Sequence, residues 1–175
     1  MSDTQWPRYY VFKQDNAKAK HQSCGTVHAP DPEMALQIAR DVFVRRPDCY
    51  SLWVAPAEEV MTRTGESWLE NQDEPHQSGG EREFLIFARP NQRDPHLFQR
   101  RVNAADAELA LRTFYSSDPE VARLGVWAVP ADSIYASQAD DEEAWFRPAE
   151  KKAYRHGSFY HPDQLLRELR SKDES

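Results

Sequence analysis

The sequence predicts an α+β fold in which two tandem strand-strand-helix-strand repeats, each with an antiparallel sheet, pair as a pseudo-dimer. First, residues 8–60 and 83–134 align with each other along their length. Second, each stretch has two runs of strand-forming residues, then an amphipathic helical pattern, then a third strand run. Third, one helix covers only one face of a three-stranded sheet, so each unit leaves a face and two edges that a second copy can cover.

The two stretches align at a nearly constant offset. At a shift of 75 residues, Phe12 aligns with Phe87 and His21 aligns with His96. Further identities at this shift include Val27 with Val102, Ala29 with Ala104, Asp31 with Asp106, Glu33 with Glu108, Ala35 with Ala110 and Leu36 with Leu111. Beyond the helix the shift becomes 74, and there Trp53 aligns with Trp127. Identities that keep their order indicate a repeated structural unit.

The first unit is predicted from local sequence signals. Its strands are expected at residues 9–12, 24–28 and 50–54. A helix is expected to begin after Asp31, a favoured N-cap, with Pro32 at its first position. It should end near Arg45, and its buried face is marked at helical spacing by Ala35, Ile38, Ala39 and Val42. A short helical turn is predicted at residues 57–61.

The second unit repeats this order and is followed by a distinct C-terminal region. Its predicted elements are strands at 84–88, 98–103 and 125–129 and a helix from Asp106 to about Tyr115. The whole chain is divided into a first repeat at 6–61, an acidic flexible linker at 62–82, a degenerate second repeat at 83–138 and a C-terminal region at 139–175. That last region contains an acidic loop, an aromatic tail and a short amphipathic helix.

Composition excludes several functional classes. The 175 residues include 22 Lys and Arg against 29 Asp and Glu, a formal net charge of −7, so binding to nucleic acid is not expected. There is no run of 18 apolar residues and no secretory signal at the N-terminus, so no membrane contact is expected. Two cysteines cannot form a disulfide framework, which favours a cytoplasmic protein with free thiols.

Side chains capable of chemistry are present but form no recognisable catalytic motif, so no catalytic residue, cofactor or metal is predicted. Cys24 and Cys49 lie in or beside predicted strands and are expected to be small core residues. His21 and His96 lie in predicted hairpin loops, where a solvent-facing side chain is expected and a ligand-binding role is the alternative. His28 is expected to have a structural role at the corner between strand and helix.

Three groups of residues are candidate contacts for a partner protein. Trp53 and Trp127 lie in the last strand of each repeat, where packing on the sheet is the alternative to an interface. Arg45 and Arg46 end the first helix, where a solvated helix face is the alternative. The tail is rich in aromatic side chains that must pack either on this chain or on another subunit, and its candidates are Tyr154, Arg155, His156, Phe159 and Tyr160.

The ordered set of residues at the two ends of the chain resembles the PaaB family, the small accessory subunits of the multicomponent phenylacetyl-CoA epoxidase of bacterial phenylacetate degradation. In the first repeat the resemblance is carried by Trp6-Pro7, Tyr10-Val11-Phe12, Gly25, His28-Ala29, Met34-Ala35-Leu36, Ala39-Arg40-Asp41, Arg45-Arg46 and Leu52-Trp53-Val54. In the tail it is carried by Phe146, Pro148, Lys152, Tyr154-Arg155-His156 and Phe159-Tyr160. It covers roughly residues 6–60 and 145–160, so the second repeat is a departure from a family pattern of one unit plus the tail.

The resemblance implies a non-catalytic accessory subunit that bridges the catalytic subunits of a di-iron, ring-epoxidising oxygenase. The iron would lie in a larger subunit, and the partners would be the catalytic and structural subunits of the complex, with a homo-oligomer as a further expectation. Two alternatives stay open: a stand-alone small enzyme of the dimeric α+β barrel type, and a small-molecule sensing module. A closed apolar pocket between sheet and helix would favour the enzyme, and a filled core would favour the subunit.

Overall fold

The computed structural model describes residues 6–44, 49–64, 80–122, 124–138, 141 and 145–146. The strands are β1 (Arg8–Gln14), β2 (Gln22–His28), β3 (Ser51–Pro56), β4 (Met61–Arg63), β5 (Arg82–Ala88), β6 (Leu97–Ala104), β7 (Val126–Pro130) and β8 (Tyr135–Ala136). The α-helices are α1 (Pro32–Phe43), α2 (Ala107–Ser117) and α3 (Pro119–Ala122), and 3₁₀ turns occupy Ala57–Glu59 and Ala131–Ser133. The predicted mixture of helices and antiparallel strands is confirmed.

The described strands form one eight-stranded sheet in the order β4-β7-β5-β6-β2-β1-β3-β8, and their pairings are antiparallel. At its centre, β2 meets β6 with Gln22 opposite Leu97. At its two edges, a short strand pairs with a strand that is distant in sequence. Thr62 of β4 lies opposite Trp127 of β7, and Ala136 of β8 lies opposite Trp53 of β3. The sheet therefore joins the first and second parts of the chain at three places.

Both long helices begin as their sequences predict. The Asp31 carboxylate accepts a hydrogen bond from the Met34 N–H at 2.8 Å, and Pro32 is the first residue of α1. The Asp106 carboxylate accepts from the Leu109 N–H at 2.7 Å at the start of α2. Each cap satisfies a backbone N–H that has no partner within the helix. The faces that the helices bury are Ala35, Leu36 and Ala39 in α1 and Ala110, Leu111 and Phe114 in α2.

The residues that the structure describes form three apolar clusters. One lies under α1 and includes Val11 and Val54, and a second lies under α2 and includes Ile86 and Ala128. The third, here called the shared core, takes residues from both parts of the chain: Phe12, Ala55, Val60, Leu85, Phe87 and Val129. Since successive residues of a strand point to opposite faces, the shared core lies on the sheet face away from the helices.

The structure differs from the sequence-based expectations at several element boundaries. The predicted turn at 57–61 is a shorter 3₁₀ turn followed by β4, whose Thr62 and Arg63 fall in the predicted linker. The strands β4 and β8 and the helix α3 were not predicted. Helix α1 ends at Phe43 rather than near Arg45. Among the described residues, no helix is long and apolar enough to cross a membrane.

The first two residues of the predicted aromatic tail pack on this chain. Phe146 is buried in the cluster under α1. Trp145 packs against the same cluster, and its ring lies 5.3 Å from the Arg40 guanidinium carbon, a distance suited to a cation–π contact. Residues 147–175, including the rest of the tail and the predicted short helix, lie outside the described residues.

Candidate functional site

Two buried histidine–tryptophan stacks flank the centre of the sheet. The His21 ring lies 3.4 Å from the Trp53 ring, centroid to centroid, with 16° between the planes. The His96 ring lies 3.8 Å from the Trp127 ring with 21° between the planes. His21 is 7 % exposed and His96 is 6 % exposed. The expectation that these loop histidines face solvent is therefore wrong.

The central strand pairing explains why both histidines are buried. The Phe98 N–H donates to the His21 carbonyl at 2.8 Å, and the Ser23 N–H donates to the His96 carbonyl at 2.9 Å. Each histidine thus sits where its loop joins the strand at the centre of the sheet. The His21 ring then packs on Trp53 of β3 and the His96 ring on Trp127 of β7, so each loop ends inside the protein.

Burial also fixes the charge state of the two imidazoles. Burial lowers the pKa of His21 from 6.5 to about 4. Burial, with a smaller contribution from the positive charge of Arg89, lowers the pKa of His96 from 6.5 to about 4. Both rings are therefore neutral at pH 7. A general base works best with a pKa near the working pH, so these values fit a packing role better than proton transfer.

The two cysteines are packed in the interior, as predicted, and both are free thiols. The Cys24 thiol donates to the Val11 carbonyl at 3.5 Å, and the Cys49 thiol donates to the Ser51 carbonyl at 3.8 Å. Burial is the main reason that the pKa of each thiol rises to about 12. Because the thiolate is the reactive form, neither sulfur is prepared for nucleophilic attack at neutral pH.

Of the candidate partner contacts, the structure describes the two tryptophans and not the others. Trp53 and Trp127 are half-buried, and besides its histidine each meets another aromatic ring: Trp53 meets Phe98 at 6.2 Å, and Trp127 meets Tyr10 at 4.8 Å. Sheet-face packing thus occupies much of both indoles. The other candidates, Arg45, Arg46, Tyr154, Arg155, His156, Phe159 and Tyr160, lie outside the described residues.

An exposed aromatic corner lies at the start of the first strand. Trp6 is 57 % exposed, and its carbonyl lies 2.9 Å from Nδ1 of His28, which ties the N-terminal segment to the end of β2. Together with Tyr9 and Pro56, these side chains line an open cleft of about 520 Å³. At the 75-residue shift, the counterparts of Trp6 and His28 are Glu81 and Asn103, so the second part of the chain lacks this corner.

Sequence reasoning overlooked the polar residues beside the two stacks. Ser51 Oγ lies 3.2 Å from Nε2 of His21, whereas Gly125 occupies the matching position beside His96. A closer comparison at the 74-residue shift would have flagged this difference, since it aligns Ser51 with Gly125. Within the described ranges, no group of three or more His, Cys, Asp or Glu side chains is arranged to hold a metal ion.

Comparison with known proteins assigns the family. The family model described as "Phenylacetic acid degradation B" (PaaB) matches residues 5–76 and 82–165, so it also covers residues 83–134, which the sequence resemblance had left outside. The chain is 41 % identical over 61 residues to the B subunit of 1,2-phenylacetyl-CoA epoxidase of Escherichia coli (strain K12), a match that covers 35 % of this chain and 64 % of the relative. No solved structure matches the chain. With both of its structural halves matched by the family model, the chain belongs to the PaaB family.

Proposed function

We propose that this chain is a non-catalytic accessory subunit of a di-iron, ring-epoxidising oxygenase complex that acts on phenylacetyl-CoA in phenylacetate degradation. The observation that carries the proposal is the family match over both halves of the chain, together with a relative that is named as one subunit of 1,2-phenylacetyl-CoA epoxidase. In this proposal the iron lies in a larger partner subunit, and the present chain holds the catalytic subunits together.

The environments of the histidine and cysteine side chains support this role. The imidazoles of His21 and His96 are stacked on tryptophans and neutral, and the thiols of Cys24 and Cys49 are protonated and packed. Each of these groups therefore contributes to packing in the interior of the protein.

The filled cores also favour a subunit over a stand-alone enzyme of the dimeric α+β barrel type. Such an enzyme needs an apolar pocket that receives its substrate. Here the Phe114 side chain is buried under α2, and the Phe12 and Phe87 rings stack at 4.2 Å in the shared core. Among the described residues, these aromatic side chains fill the centre of the core under α2 and of the shared core.

We further propose that the chain is a pseudo-dimer of two tandem repeats, so that one polypeptide replaces a pair of one-unit subunits. The strand order reads alike from either end, with the short strand of each repeat added to the edge of the other repeat. The β-bulges also correspond, because the register shifts between Val11 and Phe12 in β1 and between Ile86 and Phe87 in β5. The matched 61 residues are 64 % of the relative but 35 % of this chain, which fits a doubled unit.

The proposed partner contacts lie mainly on the first repeat and the tail. Trp53 and Trp127, Arg45 and Arg46, and the tail residues Tyr154, Arg155, His156, Phe159 and Tyr160 are retained as contacts in this proposal. The exposed Trp6 corner adds to it, because exposed tryptophan is enriched at interfaces and the second repeat has Glu81 in its place.

Co-purification with the catalytic subunits tests the proposal. A variant that ends after Phe146 keeps the two tail residues that pack on α1 and removes all the tail contacts. We expect the full chain to bring down the catalytic subunits with their iron, and the shortened chain to lose at least about 90 % of this binding while its midpoint of urea unfolding stays unchanged. A shortened chain that assembles as well as the full chain would contradict the tail contacts. A full chain that captures no catalytic subunit would contradict the accessory role.

A further inference from the structure

An open cleft of about 520 Å³, here called the Trp6 cleft, is lined by both an exposed tryptophan and the carboxylate of Glu58. Trp6 is 57 % exposed, but the backbone around it is held in place. The Trp6 carbonyl lies 2.9 Å from Nδ1 of His28. The neighbouring Pro7 carbonyl accepts from the Ala29 N–H at 3.1 Å. An exposed indole on a fixed backbone loses little conformational entropy when a partner binds to it.

The second part of the chain has an ion pair at the corresponding place. Strand β1 pairs with β3 up to Pro56, and β5 pairs with β7 up to Pro130. A 3₁₀ turn follows each proline. In the turn after Pro130, both oxygens of Asp132 accept hydrogen bonds from Nη2 of Arg82, at 2.8 Å and 3.0 Å. An arginine at the start of β5 therefore neutralises the carboxylate of this turn.

In the first part of the chain, the carboxylate is kept but its arginine is replaced. At the 74-residue shift, Glu58 stands in place of Asp132. At the 75-residue shift, Pro7 stands in place of Arg82. Among the described residues, no cationic side chain forms an ion pair with Glu58. The Trp6 cleft thus lacks the cation that the second part of the chain supplies to itself.

The charged groups around the cleft favour a cationic occupant. Burial raises the pKa of the Tyr9 hydroxyl, and the negative charges of Asp31 and Glu58 raise it further, so negative charge reaches this wall of the cleft. Arg8 also lines the cleft, but its guanidinium carbon lies 5.7 Å from the centroid of the Tyr10 ring. Tyr10 packs against the shared core, on the other face of the sheet. A guanidinium suits the cleft because it can pair with a carboxylate and also stack on an aromatic ring.

We propose that the Trp6 cleft receives a basic side chain of a partner subunit, an arginine by its fit, which pairs with Glu58 and packs on the Trp6 ring. This side chain takes the place that Arg82 has beside Asp132 within the chain. The formal net charge of −7 also favours a basic surface on the partner. The inference rests on the proposed accessory role and names one group through which the catalytic subunits are recognised.

The dissociation constant of the full chain from the catalytic subunits provides the test. Glu58→Gln should weaken binding at least about tenfold, because the partner's cation is then buried without its carboxylate. Trp6→Ala should weaken binding by a similar factor, because the aromatic wall is lost. Glu59→Gln is the matched control, since Glu59 is exposed in the same turn but does not line the cleft. Its binding should stay within about twofold of the unchanged chain.

Substitution of Pro7 tests the missing arginine directly. Pro7→Arg places an arginine where the second part of the chain has Arg82, so it should pair with Glu58, block the cleft and weaken binding at least about tenfold. Pro7→Met adds a side chain of similar length without charge and should weaken binding less than about threefold. The urea unfolding midpoint of each variant separates lost binding from lost folding. If Pro7→Arg does not fold, the comparison of Glu58→Gln with Glu59→Gln decides.

The outcomes separate this inference from the accessory role on which it rests. If the unchanged chain binds the catalytic subunits and the folded Glu58→Gln and Pro7→Arg variants bind as tightly, this inference alone is overturned. If the unchanged chain binds no catalytic subunit, the accessory role is overturned and the inference with it. Sedimentation of the isolated chain should be the same with and without Glu58→Gln. A self-associated chain that Glu58→Gln dissociates would make a second copy the occupant and overturn the inference.

Discussion

At the scale of single residues, His21 and His96 couple the stability of the fold to pH. Each imidazole must be neutral to stay buried against its tryptophan, and its pKa falls from 6.5 in the unfolded chain to about 4 in the folded protein. The unfolded chain therefore binds more protons between these two values, and protons drive unfolding. The contribution is complete above pH 6.5, is lost as the pH falls towards 4 and changes no further below that.

This coupling predicts a measurable loss of stability in acid. Between pH 7 and pH 4.5 we expect each buried histidine to reduce the free energy of unfolding by on the order of 1 kcal/mol, after allowance for solvent screening. The measurement is urea unfolding of the unchanged chain and of the His21→Gln, His96→Gln double variant at several pH values. The double variant should show a shallower pH dependence.

His28→Gln is the matched control, because His28 is exposed and lies in neither stack. Its unfolding should follow that of the unchanged chain across the same pH range. If the double histidine variant lost stability in acid as steeply as the unchanged chain, the buried imidazoles would not be the cause.

Single residues also show where sequence reasoning was insufficient. The cysteines were correctly predicted as packed thiols, because a small apolar residue in a strand has few alternatives. The burial of His21 and His96 was missed because it depends on the pairing of β2 with β6, which lies about 75 positions away in the sequence. The difference between Ser51 and Gly125 was visible in the alignment of the two stretches, but the position of each beside an imidazole was not.

At the scale of elements, the strongest local signals concern the helix starts. The caps of α1 and α2 are made by Asp31 and Asp106, with hydrogen bonds of 2.8 Å and 2.7 Å. Both helices pack on the same sheet, so the protein should unfold as one cooperative unit. Each cap should therefore contribute a similar amount to the free energy of unfolding.

We therefore predict that Asp31→Ala and Asp106→Ala each lower the free energy of unfolding by about 1 kcal/mol. Urea unfolding followed by both fluorescence and circular dichroism should show one coincident transition for each variant. Asp41→Ala is the control, since Asp41 is an exposed residue in the last turn of α1 whose ion pair with Arg40 lies at the surface, and its effect should stay below about 0.5 kcal/mol. Two separate transitions would contradict a single cooperative sheet.

The elements differ in how far their own sequence specifies them. Helices α1 and α2 and the six longer strands were predicted within a few residues, because caps, helical spacing and β-branched runs are local signals. The strands β4 and β8 span three and two residues. Segments this short are strands only because β7 and β3 offer free edges to them, so the local sequence could not reveal them.

At the scale of the whole molecule, a continuous sheet and a shared core bind the two parts of the chain. The Phe12 and Phe87 rings stack at 4.2 Å. In addition, β3 pairs with β8 from the second part of the chain, and β7 pairs with β4 from the first part. Although the pairing of the two stretches as repeats stays a prediction, a contact between them was predictable from their alignment. The exchange of edge strands was not, because it depends on where the chain runs after each 3₁₀ turn.

The proposed role of this chain is to position the catalytic subunits of an epoxidase complex without carrying out the reaction itself. The most direct test is the rate of phenylacetyl-CoA epoxidation by the reconstituted catalytic subunits and reductase, measured with this chain, without it, and with this chain alone. We predict turnover that depends on adding this chain, with at least about a tenfold loss when it is omitted, and no turnover by the chain alone. Epoxidation by the purified chain alone, or an unchanged rate when it is omitted, would contradict the account.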